Sequence, residues 1–164
     1  MGKSNNIQTV PDGYTTVTPW VITKDTARLI DFIKKGFNGC DDFRMYNEDG
    51  TIGHAEIRIG ESVVMMFDAK EDWPVTPAFL RLYVEDGDAV YEQALEAGAT
   101  SITGMTNLFW GDRVGRVCDP LGNIWWIQQR LEDLDPKETE KRAQQNEYID
   151  AMKYVQGSLR LSKE

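Results

Sequence analysis

The sequence predicts an α+β protein made of two βαβββ modules followed by a helical tail. Three observations predict it. Gly36 and Gly98 stand 62 positions apart, as do Gly60 and Gly122, while Asp25 and Asp86 stand 61 apart. Each half runs through the same order of patterns: an alternating segment, a segment of helical period, then three short alternating segments. One half alone would leave a sheet face unburied, so two halves sharing an interior make physical sense.

The first module spans residues 14–67. YTTVTPWVIT reads as a strand, and KDTARLIDFIKKGF as a helix with Leu29, Ile30, Ile33 and Phe37 on one face. Thr23 is the expected N-cap and Gly36 the expected exit. DDFRMYN, TIGHAEIRI and SVVMMF are three strands, separated by the turn pairs Asp49-Gly50 and Gly60-Glu61. A linker from Asp68 to Pro77, with Pro74 and Pro77, leads to the second module at 76–130. There AFLRLYVED is a strand and DGDAVYEQALEAG a helix, with Val90, Tyr91, Ala94 and Leu95 inward and Gly98 as breaker. ATSITG, FWGDRVGRVCD and NIWWIQQ complete it. On this alignment His54 matches Arg116 and Val64 matches Trp126. Residues 14–133 form the domain. Residues 134–164 form a C-terminal helical extension, opened by Asp135 as N-cap, Pro136 at N1 and Glu138 at N3. Its apolar stripe, Tyr148, Ile149, Met152 and Val155, is expected to pack on the body or on a partner subunit.

Composition narrows the function. The chain has 164 residues and a formal charge of -9, which argues against nucleic acid and anionic membrane as partners. A neutral or cationic ligand is compatible with it. No run reaches the roughly 18 apolar residues of a membrane helix. The opening MGKSNNIQTVPDG has no apolar core of a signal peptide. Gly2 follows Met1, but Asn6 stands where myristoylation expects Ser or Thr. Cys40 and Cys118 read as buried thiols, and the expected compartment is the cytoplasm. Open sheet edges call for protection, so a homodimer is expected.

The chemistry-bearing residues are few. His54 and Glu56 are two apart on a strand and share a face. They form either a structural hydrogen bond or an acid–base pair. Arg113 and Arg116 are candidate anion stabilisers. Arg113 pairs with Asp112 or Asp119, or faces a ligand. Trp125 and Trp126 point to opposite faces, and Trp110 precedes them. Cys118 reads as an inert thiol, and there is no P-loop, G-x-S-x-G, H-E-x-x-H or CxxC.

WGDR at Trp110 to Arg113 and DPLGN at Asp119 to Asn123 precede a closing strand. With GTIGHAEIRIGESVVMMFDA and FLRLYVEDGDAVYEQALEAGA, they resemble the PhnB-like branch of the glyoxalase/bleomycin-resistance/extradiol-dioxygenase superfamily, over about Thr16 to Asp133. The resemblance implies a curved mixed sheet around a cleft, often completed in a homodimer. It also implies four metal-ligand slots, which fall near Thr18, Val64, Phe79 or Leu80, and Trp126. None is a good ligand for zinc, nickel or iron. With a single histidine in the chain, no metal and no cofactor are expected. By the same correspondence Trp126 faces the cleft with Gln128, and Val64 and Met66 match them from the first module. Such a floor either stacks a planar ring or simply fills the core. Three functions stand: a metal-independent small-molecule binder for an aromatic or cationic ligand, a metal-free isomerase or lyase using His54 with Glu56 and Arg113, and a non-catalytic scaffold.

Overall fold

The computed structural model describes residues 7–158. Gly2, Asn6 and residues 159–164 lie outside them. The first module contains β1 (Trp20–Thr23), α1 (Thr26–Phe37), β2 (Cys40–Tyr46), β3 (Ile52–Ile59) and β4 (Ser62–Asp68). The second contains β5 (Phe79–Tyr83), α2 (Gly87–Glu96), β6 (Thr100–Asn107), β7 (Asp112–Cys118) and β8 (Ile124–Arg130). The tail forms α3 (Pro136–Ala143) and α4 (Asn146–Gly157). Each module is a four-stranded mixed sheet, ordered β1-β4-β3-β2 and β5-β8-β7-β6. The first strand pairs parallel with the last, and the remaining pairs are antiparallel. The duplication read from the turn glycines is therefore a duplication of topology.

Local chemistry adjusts several boundaries. Thr23 ends β1, and the helix is capped instead by Asp25, whose carboxylate accepts from the Arg28 N–H at 3.0 Å. An aspartate reaches this donor as readily as a threonine and adds favourable charge at the helix start. The helix also runs past Gly36 to Asn38, which adopts the left-handed conformation at φ 54°. Gly36 does not terminate the helix: it lies within it, where a Cβ would make ordinary contact with the Ala94 Cα on α2 at 3.4 Å. Asp135 caps α3 as expected, accepting from Lys137 and Glu138 N–H groups at 2.9 Å. The tail is broken at Gln144 and Gln145 into two helices. Arg142 bonds both Glu132 and Glu138, which fastens α3 to the exit of β8.

One apolar core serves both modules. Leu29, Ile30, Ile33 and Phe37 from α1 join Ala55, Ile57, Val64 and Met66 from the first sheet, Tyr91 and Ala94 from α2, and Val117, Trp125 and Ile127 from the second. The Phe37 and Trp125 rings meet at 4.8 Å, and α1 packs on α2. Among the described residues no strand of one sheet pairs with a strand of the other. The helix pair joins the modules, and each sheet keeps its opposite face for other uses. Cys40 departs from the expectation: it is exposed, because it stands at an edge strand before a register shift.

Candidate functional site

Alternation along the strands decides which side chains leave the core. In β3, Ala55 and Ile57 point to α1, so His54 and Glu56 point away. In β8, Trp125 and Ile127 point to the helices, so Trp126 and Gln128 point away. Val64 and Met66 are a correction: both lie on the helix side, within the shared core, and neither meets Trp126. The reason is one residue of turn. Gly60-Glu61 joins β3 to β4 directly, whereas β7 and β8 are joined by three residues closed by the Asp119 N–H donating to the Asn123 carbonyl. Glu56 and Arg116 are thus equivalent at 60 positions, and Met65 and Trp126 at 61. A constant spacing of 62 misassigns His54 to Arg116 and inverts the face of β4.

On the first module's outer face, Glu56 is the centre of a polar chain. Tyr14 Oη donates to Glu56 Oε2, and His54 Nε2 lies 2.8 Å from Glu56 Oε1. The Tyr14 hydroxyl, then the His54 ring, hold the Glu56 carboxyl below its usual range. The same contact, with burial, raises the Tyr14 phenol. Around this chain runs an aromatic row. Phe43 lies 6.4 Å from His54, His54 6.3 Å from Trp20, Trp20 5.6 Å from Phe67, and Phe67 5.8 Å from Trp73. Trp20 and Phe43 remain 55% and 52% exposed. The face therefore offers several ring surfaces and a hydrogen-bonded tyrosine–carboxylate–imidazole unit, which can relay a proton or orient a polar ligand group.

The second module's outer face is mostly covered by α4. Leu108, Val114 and Val155 form a small core there, with Trp110, Trp126, Ala151 and Met152 packed against it. The Arg116 guanidinium lies 5.1 Å from the centre of the Trp126 ring, and Arg81 from β5 lies 4.8 Å from it. Gln128 and Trp110 both donate to the Asp112 carboxylate. Trp126 and Gln128 share one face, as their two-residue separation on a strand suggested; Arg116 and Trp110 join them there, and α4 packs against this face.

The remaining candidates sit elsewhere. Arg113 pairs neither with Asp112 nor with Asp119: it grips Asp88 at 2.7 and 2.8 Å from the helix side of β7, and holds that carboxyl below its usual range. It is apart from His54 and Glu56. Asp119 is a turn hub, accepting from the Leu121 and Asn123 N–H groups, Asn123 Nδ2 and Trp125 Nε1. Burial pushes the Cys118 thiol up, away from a reactive thiolate. Among the described residues no group of three His, Cys, Asp or Glu side chains is arranged to hold a metal ion. No described helix is long and apolar enough to cross a membrane. A groove of about 630 Å3 between the modules is lined by Phe37, Val64, Leu80, Leu82 and Trp125 among others, and brings in Arg81 but none of Tyr14, His54, Glu56, Asp112, Arg116 and Gln128. Sequence reasoning missed Tyr14, Trp20, Phe67 and Arg81. Strand parity could have found Trp20 and Arg81, whereas Tyr14 precedes β1 and carries no periodic signal.

Two βαβββ modules are joined through their helices, and each presents an outer sheet face. The chain belongs to the glyoxalase/bleomycin resistance protein/dioxygenase superfamily, whose profile matches residues 13–127. It is 35% identical over 133 residues to an uncharacterised protein of Mycobacterium bovis, covering 74% of this chain and 88% of that one. Among solved structures, TioX from Micromonospora sp. ML1 superposes with a TM-score of 0.59 at 23% identity, covering 74% of this chain and all of that one. The fosfomycin resistance protein FosX from Listeria monocytogenes superposes with a TM-score of 0.58 at 11% identity, over 76% of this chain and 97% of that one. These two likenesses concern the fold.

Proposed function

We propose that this protein binds a compact, planar aromatic ligand without a metal ion, on the first module's outer face. The observation that carries the reading is the aromatic row Phe43–His54–Trp20–Phe67 around the Glu56 hydrogen bonds, with Phe43 and Trp20 half exposed and His54 and Phe67 partly buried. Rings left open to water in this number mark a binding surface rather than a finished core. By the resemblance, the last-strand ligand slot of the metal-using members falls at Trp126, whose indole is no metal ligand, and among the described residues no group of three His, Cys, Asp or Glu side chains is arranged to hold a metal ion. The lowered Glu56 carboxyl suits a neutral or cationic ligand group.

A single sheet face does not enclose a ligand, so the reading includes a homodimer in which a second copy closes over Trp20 and Phe43. WGDR and DPLGN support placement in the PhnB-like branch. A second reading, metal-free isomerase or lyase chemistry, is favoured by one observation: the Tyr14–Glu56–His54 chain puts a polarised imidazole at the surface of that face. Arg113 takes no part in it.

The test is quenching of tryptophan fluorescence by a panel of planar aromatics on chelator-treated protein, with sedimentation velocity on the same samples. The expected result is a selective hit that is lost, together with the dimer, in Trp20→Ala. Turnover of that hit, abolished by His54→Gln, would establish the enzyme reading. A monomeric protein with no hit overturns both.

A further inference from the structure

We propose that the pocket between the linker at residues 69–77 and the turn joining β7 to β8 is a separate site for a compact apolar monocarboxylate of single-ring size, with Lys24 as its counter-ion. The pocket has a volume of about 220 Å3, and both modules line it. The end of β1 contributes Ile22 and Thr23, the linker Trp73, Pro74 and Pro77, and the turn Pro120 and Leu121. None of Trp20, Phe43, His54 and Glu56 lines it, nor do Arg116, Trp126 and Gln128. It lies off the outer faces of both sheets.

The walls are set by the chain itself. The Ala69 N–H donates to the Thr23 carbonyl at 2.7 Å, which ties the start of the linker to β1. The far end is tied to the second module, where Asn123 Oδ1 accepts from the Ala78 N–H at 2.9 Å. Asn123 is 2% exposed and donates through Nδ2 to Asp119. The three prolines fix their own φ, and a wall held in this way lowers the ordering cost of binding. Size and lining describe the guest. An apolar cavity of about 150 Å3 accepts benzene, so this one has room for a single ring and a short acid arm. Ile22, Leu121 and the prolines offer hydrocarbon, and Trp73 offers an aromatic surface. The Trp73 ring is steadied by Phe67 at 5.8 Å, and Lys70 Nζ stands 5.8 Å from its centre.

Charge sets the head group. Lys24 lines the pocket and makes no hydrogen bond or ion pair among the described residues. The carboxylates beside it are already engaged. Asp25 accepts from the Arg28 N–H, and Asp68, paired with Thr23 across β1 and β4, accepts from the Thr26 and Ile52 N–H groups. Glu71 and Asp72 belong to the same linker but do not line the pocket. Thr23 is 7% exposed, and its hydroxyl has no hydrogen-bond partner among the described residues. A cation without a counter-ion next to an unpaired hydroxyl suits a carboxylate, which accepts from both.

The test uses the 15N-labelled full chain, with phenylacetate as the single-ring carboxylate and phenylacetamide as its neutral counterpart. Indole and backbone amide signals are followed, with Trp73→Phe to assign the indole. Phenylacetate is expected to shift the Trp73 indole and the amides of Leu121, Gly122 and Asn123 together. Lys24→Gln should weaken binding about tenfold, the equivalent of ~1.4 kcal/mol. Thr23→Val should weaken it about threefold, as expected for one neutral hydrogen bond. Lys24 is exposed, so Lys24→Gln tests the charge without disturbing the core, and the amide spectrum of each variant checks its fold. Equal binding of phenylacetamide, undiminished binding by Lys24→Gln, or a Trp73 shift with the amides of 121–123 unmoved overturns the proposal. So does an absence of shifts at millimolar phenylacetate. Shifts confined to Trp20 and His54 also overturn it, while leaving the reading of the first module's face standing.

Discussion

Asp119→Ala is expected to destabilise the fold by about 4 kcal/mol, and the sum follows from its four accepted bonds. Asp119 is buried, and so are Asn123 and Trp125. Truncation leaves the Asn123 N–H, Asn123 Nδ2 and Trp125 Nε1 without their acceptor, while the Leu121 N–H is near enough to solvent to be hydrated. An orphaned buried donor costs ~1–3 kcal/mol, so three give about 3–9 kcal/mol before relaxation. A water entering the vacated space satisfies part of the set, which places the expectation at the lower end. Asp119→Asn keeps one acceptor oxygen and should cost about half as much. Urea unfolding, followed by tryptophan fluorescence and far-ultraviolet circular dichroism, measures both variants; coincident transitions and an unchanged slope are required for the comparison. A loss below about 1 kcal/mol for Asp119→Ala would refute the hub, since that is the size of one ordinary hydrogen bond.

Other expectations follow from the same geometry. Because Glu56 titrates below its unfolded value, its stabilising contribution is present above the ordinary carboxylate range and is lost as pH falls through its folded value. Tyr14→Phe should move this acid limb to higher pH, as read by carboxyl 13C shifts and acid unfolding; an unchanged limb refutes the Tyr14 bond. Gly115→Val should cost more than about 2 kcal/mol in urea unfolding, because a Cβ there would lie 2.5 Å from Met105 Sδ and 3.0 Å from the Tyr91 ring. Gly36→Ala should be neutral or stabilising by up to ~1 kcal/mol, since its Cβ makes ordinary contact and alanine favours the helix. Arg113→Ala breaks a half-exposed pair with Asp88 and should cost no more than about 1 kcal/mol, with ligand quenching unchanged.

The fold was legible because its signals are local. Asp49-Gly50, Gly60 and Gly98 mark turns by backbone chemistry, and Leu29 to Phe37 mark a buried helix face by period. The pairing of His54 with Glu56 was legible for the same reason, since two residues on one strand share a face. What failed was register across a turn. The extra residue in the Asp119–Asn123 turn shifts β8 against β4, and no local signal in Val64 or Met66 reveals which face it takes. Arg113 was misplaced because its partner, Asp88, comes from a helix start far away in sequence. The cover that α4 lays over Trp126 was only half visible: the stripe ending in Val155 announces a buried face but not its target. Tyr14 reaches Glu56 from irregular chain, where periodicity has nothing to say.

The most direct test of metal-independent binding is the melting temperature of metal-stripped protein with the planar aromatic panel, alone and with stoichiometric nickel, zinc or iron. The account predicts one selective stabilisation, equal with and without metal, and absent in Trp20→Ala. Stabilisation that appears only when one metal is added would contradict it and return the protein to the metal-using members of its superfamily.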